Sequence, residues 1–418
     1  MTASTISHST RQRLTAALFF SQSLFSAAMI AGFTLTPILA ARLGGSDNAA
    51  GVPNTLTLLG RAAAAYPIGW LFDKVGRRLG LTVGFALALA GALLTVWAVM
   101  NDSFFGLCAG AALMGMGRGG SEQARYIAAE VQAPERRAKV IGLIVFAGTI
   151  GAVGGPALVG PSARLAELWG FLGDTGPYLA SVGLYGLGLV TIFLFLRPDP
   201  RQISQVLAVE NAGQVDQSAA RPFSEIFSQP TVLLAVAAMA IGQLVMALLM
   251  VITPLHMDHN NHSTASVSVV IMAHTLGMYG LSSVTGWLID RYGRIPLIVA
   301  GAVLLIISGI QTPLSVSLLN LIVALFLLGL GWNFCFIAGS SLMADALQPG
   351  ERARAQGASE VLVSLATGVG SLGTGAVFHQ GGMTAVAAVG IALTLLLMAL
   401  LVWFNRFQTR RTPPAAAA

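Results

Sequence analysis

The sequence predicts an all-α polytopic membrane protein, with twelve transmembrane helices in two pseudo-symmetric six-helix bundles. Three observations carry this. Of 418 residues, 55% are hydrophobic and only 10% are charged, where a soluble protein usually carries about 25% charged residues. The charge-free runs Leu14–Ala41, Leu79–Asn101, Val140–Ala163, Ile226–Met257, His259–Ile289 and Ile295–Ala344 are as long as membrane spans. The third observation is an internal repeat that divides the chain into two similar halves. Together these exclude a soluble enzyme, a secreted disulfide scaffold and a disordered chain.

A hydrocarbon layer about 30 Å thick takes roughly 20 helical residues, so the stretch from Ile295 to Ala344 must cross twice, turning at Gln311, Thr312 and Pro313. A second break is expected at His379, Gln380, Gly381 and Gly382. The expected spans are 14–41, 53–72, 79–100, 104–130, 138–160, 177–197, 231–254, 265–289, 295–311, 316–344, 355–378 and 383–405. Cytoplasmic loops should hold the excess of Lys and Arg. With both termini inside, the inner segments hold 18 of the 23 basic residues and the outer loops two, Arg42 and Arg164. The first apolar run has full spanning length and no small-residue cleavage site after it, so it reads as an uncleaved first helix. The chain then divides into 1–197, a cytoplasmic linker 198–230 that ends in an amphipathic segment at Phe223–Phe227, and 231–418. The net charge of +6 is dispersed between spans and forms no basic stripe, which argues for topology signals and against nucleic acid as a partner. Cys108 and Cys335 lie inside apolar runs and read as small buried hydrophobes.

The repeat is specific. GWLFDKVGRR at 69–78 returns as GWLIDRYGR at 286–294, an offset of 217, and EVQAPERRAKVIG at 130–142 returns as DALQPGERARAQG at 345–357, an offset of 215. The pattern at Gly69–Arg78, with its degenerate second copy, resembles the signature of the major facilitator superfamily between spans 2 and 3, and the resemblance covers essentially the whole chain. It implies alternating access, in which two bundles rock about a central cavity lined mainly by spans 1, 4, 7 and 10. It also implies a lipid bilayer and a small-molecule substrate as partners and a functional monomer.

Physical chemistry gives the signature residues a purpose. Asp73 ends the second span, where the helix dipole disfavours a negative charge, so it needs a cation or another helix's N-terminus; Arg77 and the start of span 11 near Arg354 are the two candidates. Arg77 can in turn reach Glu130. With Gly69, Gly76 and Arg78 these form one cytoplasmic gate set, and Gly286, Asp290, Gly293, Arg294 and Asp345 form its repeat. The competing reading is that these charges only orient the loops during insertion.

Inside the membrane, Arg118, Glu122 and Arg125 are spaced by four and three residues and share a face of span 4. A charge near the middle of a span costs about 2.5–3.5 kcal/mol on insertion scales, so Arg118 and Glu122 should pair beside a wet cavity. Counting from the loop motif, their counterparts in span 10 are Asn333 and Ile337, so the repeat dispenses with charge there. Glu122 is the expected proton site, with Arg118 tuning it; a static ion pair is the alternative. Arg61 and Glu360 are further intramembrane charges, placed between gate and cavity roles. His274 stands opposite Thr57 in the repeat and reads either as a titrating group or as a structural histidine. Gln22, Gln243, Trp332 and Asn333 are the remaining expected cavity-lining groups.

In span 5, Gly151, Gly155, Pro156 and Gly160 resemble the GxxxGPxxGG element of the superfamily's proton-linked antiporters, with Val159 replacing one glycine. Gly151 and Gly155 make a small-residue face for close helix contact, and Pro156 should bend the helix. The outer segment carrying His256, Asp258, His259 and His262 has the donors for a divalent metal, but their spacing describes no closed site and no resident metal or organic cofactor is expected. No phosphate-binding glycine loop, nucleophile elbow or HExxH motif occurs, so an enzyme is not expected. The expectation is an integral protein of a bacterial inner membrane that exports small organic molecules in exchange for protons. Uptake of a metabolite, metal or chelate is the first alternative, and a non-transporting membrane sensor or scaffold the second.

Overall fold

The computed structural model describes residues 8–132, 134–204, 221–347 and 352–411. Of these, the side chains of 8, 65, 73, 134–139, 145, 352–354, 356, 357, 360, 405 and 407–411 lie outside the described set. Every regular element among the described residues is helical. The helices are α1 (His8–Gly44), α2 (Val52–Val75), α3 (Arg77–Met100), α4 (Phe104–Ser121), α5 (Ala124–Glu130), α6 (Pro134–Leu168), α7 (Gly176–Phe195), α8 (Phe223–Phe227), α9 (Pro230–His259), α10 (Thr264–Thr275), α11 (Ser282–Tyr292), α12 (Arg294–Leu314), α13 (Leu318–Ala346) and α14 (Arg352–Arg411).

Nine segments among the described residues are long and apolar enough to cross a membrane. The last of them, Val361–Phe404, runs across non-helical Gly381 and Gly382, where the sequence predicts a break. Of the other expected spans, α2 carries Arg61 and Lys74, and the fourth is divided. It stops at Ser121 and resumes at Ala124, with Glu122 and Gln123 between them in right-handed helical conformation. The turn between α12 and α13 falls at Ser315–Ser317, just beyond the Gln311–Pro313 turn expected. Pro156 and Pro161 both lie inside α6, which runs on as one helix.

The chain divides into two compact units, Met1–Val215 with Asn261–Met272, and Asp216–Asn260 with Ala273–Ala418. In the first, α1 packs on α6 and α7, and α4 packs on α2 and α3. Its core joins Leu14, Leu18, Phe72, Leu81, Phe85 and Tyr185, with the Phe25 ring edge-on to Phe85 at 5.2 Å. In the second, α9 packs on α13 and α14, and α12 on α13. Many large apolar side chains are outward-facing, Phe105, Tyr66 and Leu168 among them. Hydrocarbon solvates such groups as well as a protein core does, so they carry no penalty in a membrane.

Close helix approach is set by glycines, and the same contacts recur in both units. A Cβ at Gly115 of α4 would overlap the Thr57 carbonyl of α2; one at Gly329 of α13 would overlap the His274 carbonyl of α10. Gly117 lies against the Gly84 carbonyl, and Gly331 against that of Gly301. Within the membrane, then, α4 maps onto α13 at an offset of 214, one less than the loop motif suggests. This corrects a correspondence: Arg118 and Glu122 align with Trp332 and Phe336, not with Asn333 and Ile337.

Candidate functional site

Glu122, at the break between α4 and α5, is held by two arginines. Arg118, one turn earlier, places Nε 2.8 Å from Glu122 Oε1. Arg61 reaches from α2 to place its Nε 2.9 Å from Oε2. All three side chains are partly exposed, Arg118 most at 40%. Each carboxylate oxygen thus meets its own cation, which is the arrangement a charge needs away from bulk water. The Arg118–Glu122 pair is the one expected from spacing. Arg61, left between gate and cavity roles, forms an ion pair with Glu122. Arg125 stands apart, its guanidinium 4.8 Å from the Tyr126 ring centroid and its buried Nε without a hydrogen-bond partner.

Gln22 of α1 accepts a 2.8 Å hydrogen bond from Ser121 of α4. In the second unit, Gln243 of α9 accepts a 2.6 Å hydrogen bond from the indole N–H of Trp332 in α13. The two glutamines stand at matching places in the repeat. Trp332 stacks on Phe336, with centroids 4.9 Å apart and planes 19° apart, and meets Tyr279 edge-on at 5.9 Å. An aromatic pair therefore occupies the positions where the first unit has its ion pair.

Two expected cavity residues are instead packed inside the second unit. Asn333 is 1% exposed. Its amide donates to the Met278 carbonyl at 2.6 Å and to Ser282 at 3.1 Å, while its carbonyl accepts from Thr285 at 2.5 Å. It brackets the single π turn at Leu276–Gly280, where the backbone register shifts and a carbonyl is offered sideways. His274 is likewise 1% exposed, and its Nδ1 lies 2.9 Å from the Leu325 carbonyl. Thr57, its counterpart, makes the equivalent 3.2 Å bond to the Ala111 carbonyl. The structural reading of this histidine is the one the packing supports.

At the turn between α2 and α3, Arg77 forks onto Glu130 with Nε and Nη2 each 3.0 Å from a carboxylate oxygen. The Arg78 guanidinium donates to the Phe193 carbonyl and lies over that ring. Asp199, which no sequence pattern marks, accepts from the backbone N–H groups of Arg77, Arg78 and Arg201 at 2.9–3.1 Å. It neutralises the amino end of α3, which lacks a capping side chain of its own. Arg201 donates to the Lys74 carbonyl at the other side of the same turn. Gly76 between them has φ +109°, and a Cβ there would press on Asp199 Oδ2, so both backbone conformation and space require glycine. In the second unit Gly293 repeats the positive φ at +87° and Arg294 Nε lies 2.8 Å from Asp345 Oδ2. Asp290 is exposed. Gly69 and Gly286 have open space where a Cβ would go. The Asp73 and Glu360 side chains lie outside the described residues, as does that of Arg354.

Gly151 and Gly155 pack α6 against the Ser23 and Ala27 carbonyls of α1, whereas Gly160 faces open space. In the second unit Gly370 lies on the Leu244 carbonyl, and Thr374 donates to the Leu248 carbonyl at 2.7 Å where the first unit has Gly155. The segment at His256–His259 is the last turn of α9 and not a loop. The His256 and His259 rings flank Phe378 at 6.1 and 5.8 Å, and among the described residues no three His, Cys, Asp or Glu side chains come together.

Comparison with known proteins shows the family. A family model described as Major Facilitator Superfamily matches residues 16–258 and 237–418. The MFS-type transporter YdeG of Bacillus subtilis (strain 168) is 32% identical over 385 residues, spanning 92% of this chain and 90% of that protein. The riboflavin transporter RfnT of Brucella anthropi is 26% identical over 373 residues, 88% of each chain. Among solved structures, a bacterial homolog to the human lysosomal transporter Spinster aligns with a TM-score of 0.73 at 16% identity, covering 98% of this chain and all of that one; likeness at that identity speaks to fold alone.

Proposed function

The chain belongs to the Major Facilitator Superfamily, and from that premise we propose that it is a proton-coupled secondary transporter of small organic molecules, working by alternating access with Glu122 as the proton site. The observation that carries this reading is the Arg61–Glu122–Arg118 cluster. A carboxylate bound by two guanidinium groups exchanges its partners when it takes a proton, because the neutral acid no longer balances either cation. Protonation thereby becomes a change in how α2 and α4 are held together. The repeat supports a functional purpose, since Met278, Trp332 and Phe336 fill the equivalent positions without charge. The relative named a riboflavin transporter supports an organic cargo of about vitamin size.

Export by exchange with protons is the reading favoured by the glycine element of α6. The close packing of Gly151 and Gly155 on α1 is what such an element needs, although packing alone would produce it too. A second reading, uptake together with the proton, is favoured by the second arginine on Glu122. The location that fits either is a bacterial inner membrane with both termini in the cytoplasm. Vesicle uptake under imposed gradients of either sign tests direction and coupling. Flux that ignores the pH gradient would refute proton coupling, and no flux at all would favour a sensor or scaffold.

A further inference from the structure

We infer that the first unit holds an anionic phospholipid at a fixed place, its phosphate bound by Arg13, Arg78 and Arg197 where α1, α3 and α7 come together. This site is independent of the reading of Glu122. Three observations lead to it.

The first is convergence. Arg13 of α1 donates from Nη2 to the Arg197 carbonyl just past the end of α7. Arg78, at the start of α3, donates from Nε to the Phe193 carbonyl at 3.0 Å. The Phe193 ring centroid lies 4.6 Å from the Arg78 guanidinium carbon and 5.7 Å from that of Arg197. Contacts with Phe193 and with the Arg197 backbone thus gather guanidinium groups from places far apart in the chain. A guanidinium held against an aromatic ring keeps in-plane N–H groups for a second partner.

The second is that no acid answers them. Among the described residues neither Arg13, Arg78 nor Arg197 forms an ion pair. Asp199, two positions beyond Arg197, accepts instead from backbone N–H groups. Nor does the turn require Arg78. In the second unit Arg294 follows the positive-φ Gly293 as Arg77 follows Gly76, and Ile295 stands in the place of Arg78.

The third is the surface beside them. α3 and α7 pack on each other, and from the arginines they run into Leu79 and Val83 on one helix and Leu194 and Val190 on the other, all 40–51% exposed. Such outward apolar groups on a span are solvated by acyl chains. A phospholipid presents the matching parts in the matching order, a phosphate at the arginines and chains along the apolar faces. Arginine binds phosphate oxygens as a fork, and a lipid of net negative charge gains most, since the ammonium of a zwitterionic lipid opposes the arginines. A water-soluble anion would leave the apolar faces unused.

The experiment titrates the purified full-length protein in detergent with phosphatidylglycerol, with phosphatidylcholine of the same acyl chains, and with inorganic phosphate. Bound lipid is counted by native mass spectrometry, and the melting temperature is read in parallel. Phosphatidylglycerol should bind about fivefold or more tighter than phosphatidylcholine and raise the melting temperature further. Inorganic phosphate should do neither. The Arg197 side chain is exposed and makes no hydrogen bond among the described residues, so Arg197→Gln should fold normally. It should weaken phosphatidylglycerol binding about fivefold and leave phosphatidylcholine binding unchanged. Arg13→Gln and Arg78→Gln should act in the same way, and Arg78→Lys should retain part of the binding. Arg164→Gln should change nothing, because that exposed arginine lies near the opposite end of α7, where Ala163 meets Gly176. Equal binding of the two lipids overturns the inference. So does a phosphatidylglycerol preference that survives Arg78→Gln combined with Arg197→Gln, or one that Arg164→Gln lowers equally. Stabilisation by inorganic phosphate as large as that by the lipid, lost in the same arginine variants, would make this a site for free phosphate and overturn it too.

Discussion

Arg61 lies sixty-one positions before Glu122 in the chain, yet its Nε sits 2.9 Å from the Glu122 carboxylate, closing from α2 an ion pair that α4 begins with Arg118. The approach is possible because Gly119 of α4 faces the Arg61 backbone carbonyl, 3.1 Å from where a Cβ would stand. Gly119→Leu should therefore push α2 from α4 and weaken the cluster. Its expected cost is that of overpacking, about 1–3 kcal/mol, read as a lower melting temperature and lower driven flux. Wild-type behaviour of this variant would show that the cluster does not depend on close approach of the two helices.

The turn between α2 and α3 makes a sharper statement. Gly76 at φ +109° is packed against Asp199. Gly76→Ala should destabilise by about 1–2 kcal/mol from backbone strain alone, with the clash in addition. Asp199→Ala should cost about 1 kcal/mol by exposing the amino end of α3. Hydrogen exchange at the Arg77 and Arg78 amides would quicken in the second variant, and unchanged exchange would remove Asp199 from this account.

The fork between Arg77 and Glu130 can be measured by a double-mutant cycle. Its two charge-assisted bonds should give a coupling of about 1–2 kcal/mol in detergent unfolding. A coupling indistinguishable from zero would mean that the pair only orients the loop.

The glycines of α6 separate packing from the antiporter reading. Gly151→Ala and Gly155→Ala should lower stability, since a Cβ at either would run into a carbonyl of α1, while Gly154→Ala and Gly160→Ala, with nothing within 4 Å, should be tolerated. If Gly160→Ala abolishes driven flux without loss of stability, the element does more than pack. His274→Asn should leave the pH profile of transport unchanged, because its ring is enclosed and bonded to Leu325; a shifted profile would restore it as a titrating group.

Much of this arrangement is legible in the sequence because membranes constrain it so strongly. Span-length apolar runs, paired basic loops and the repeated GWLxD motif all follow from solvation and symmetry, and Arg118–Glu122 follows from helix period. Other features leave no such trace. Arg61 finds Glu122 across two helices, and Asp199 acts on backbone N–H groups, so neither carries a local pattern. The break after Ser121 lies in a glycine-rich stretch whose periodicity looks continuous. The one-residue shift between loop and membrane offsets appears only where glycines meet carbonyls, and it is this shift that sets Trp332, not Asn333, opposite Arg118. His274 and Asn333 look like cavity residues because they are polar within a span, yet a buried carbonyl satisfies such groups equally well.

The central claim is that Glu122 carries the coupling proton, and driven accumulation in proteoliposomes tests it most directly. The cargo is a compound selected by ligand-induced thermal stabilisation of the purified protein, supplied under an imposed pH gradient with its binding measured in parallel. Wild-type protein should accumulate it in response to the gradient, and Glu122→Gln should bind it but accumulate none. Accumulation by Glu122→Gln equal to wild type would contradict it.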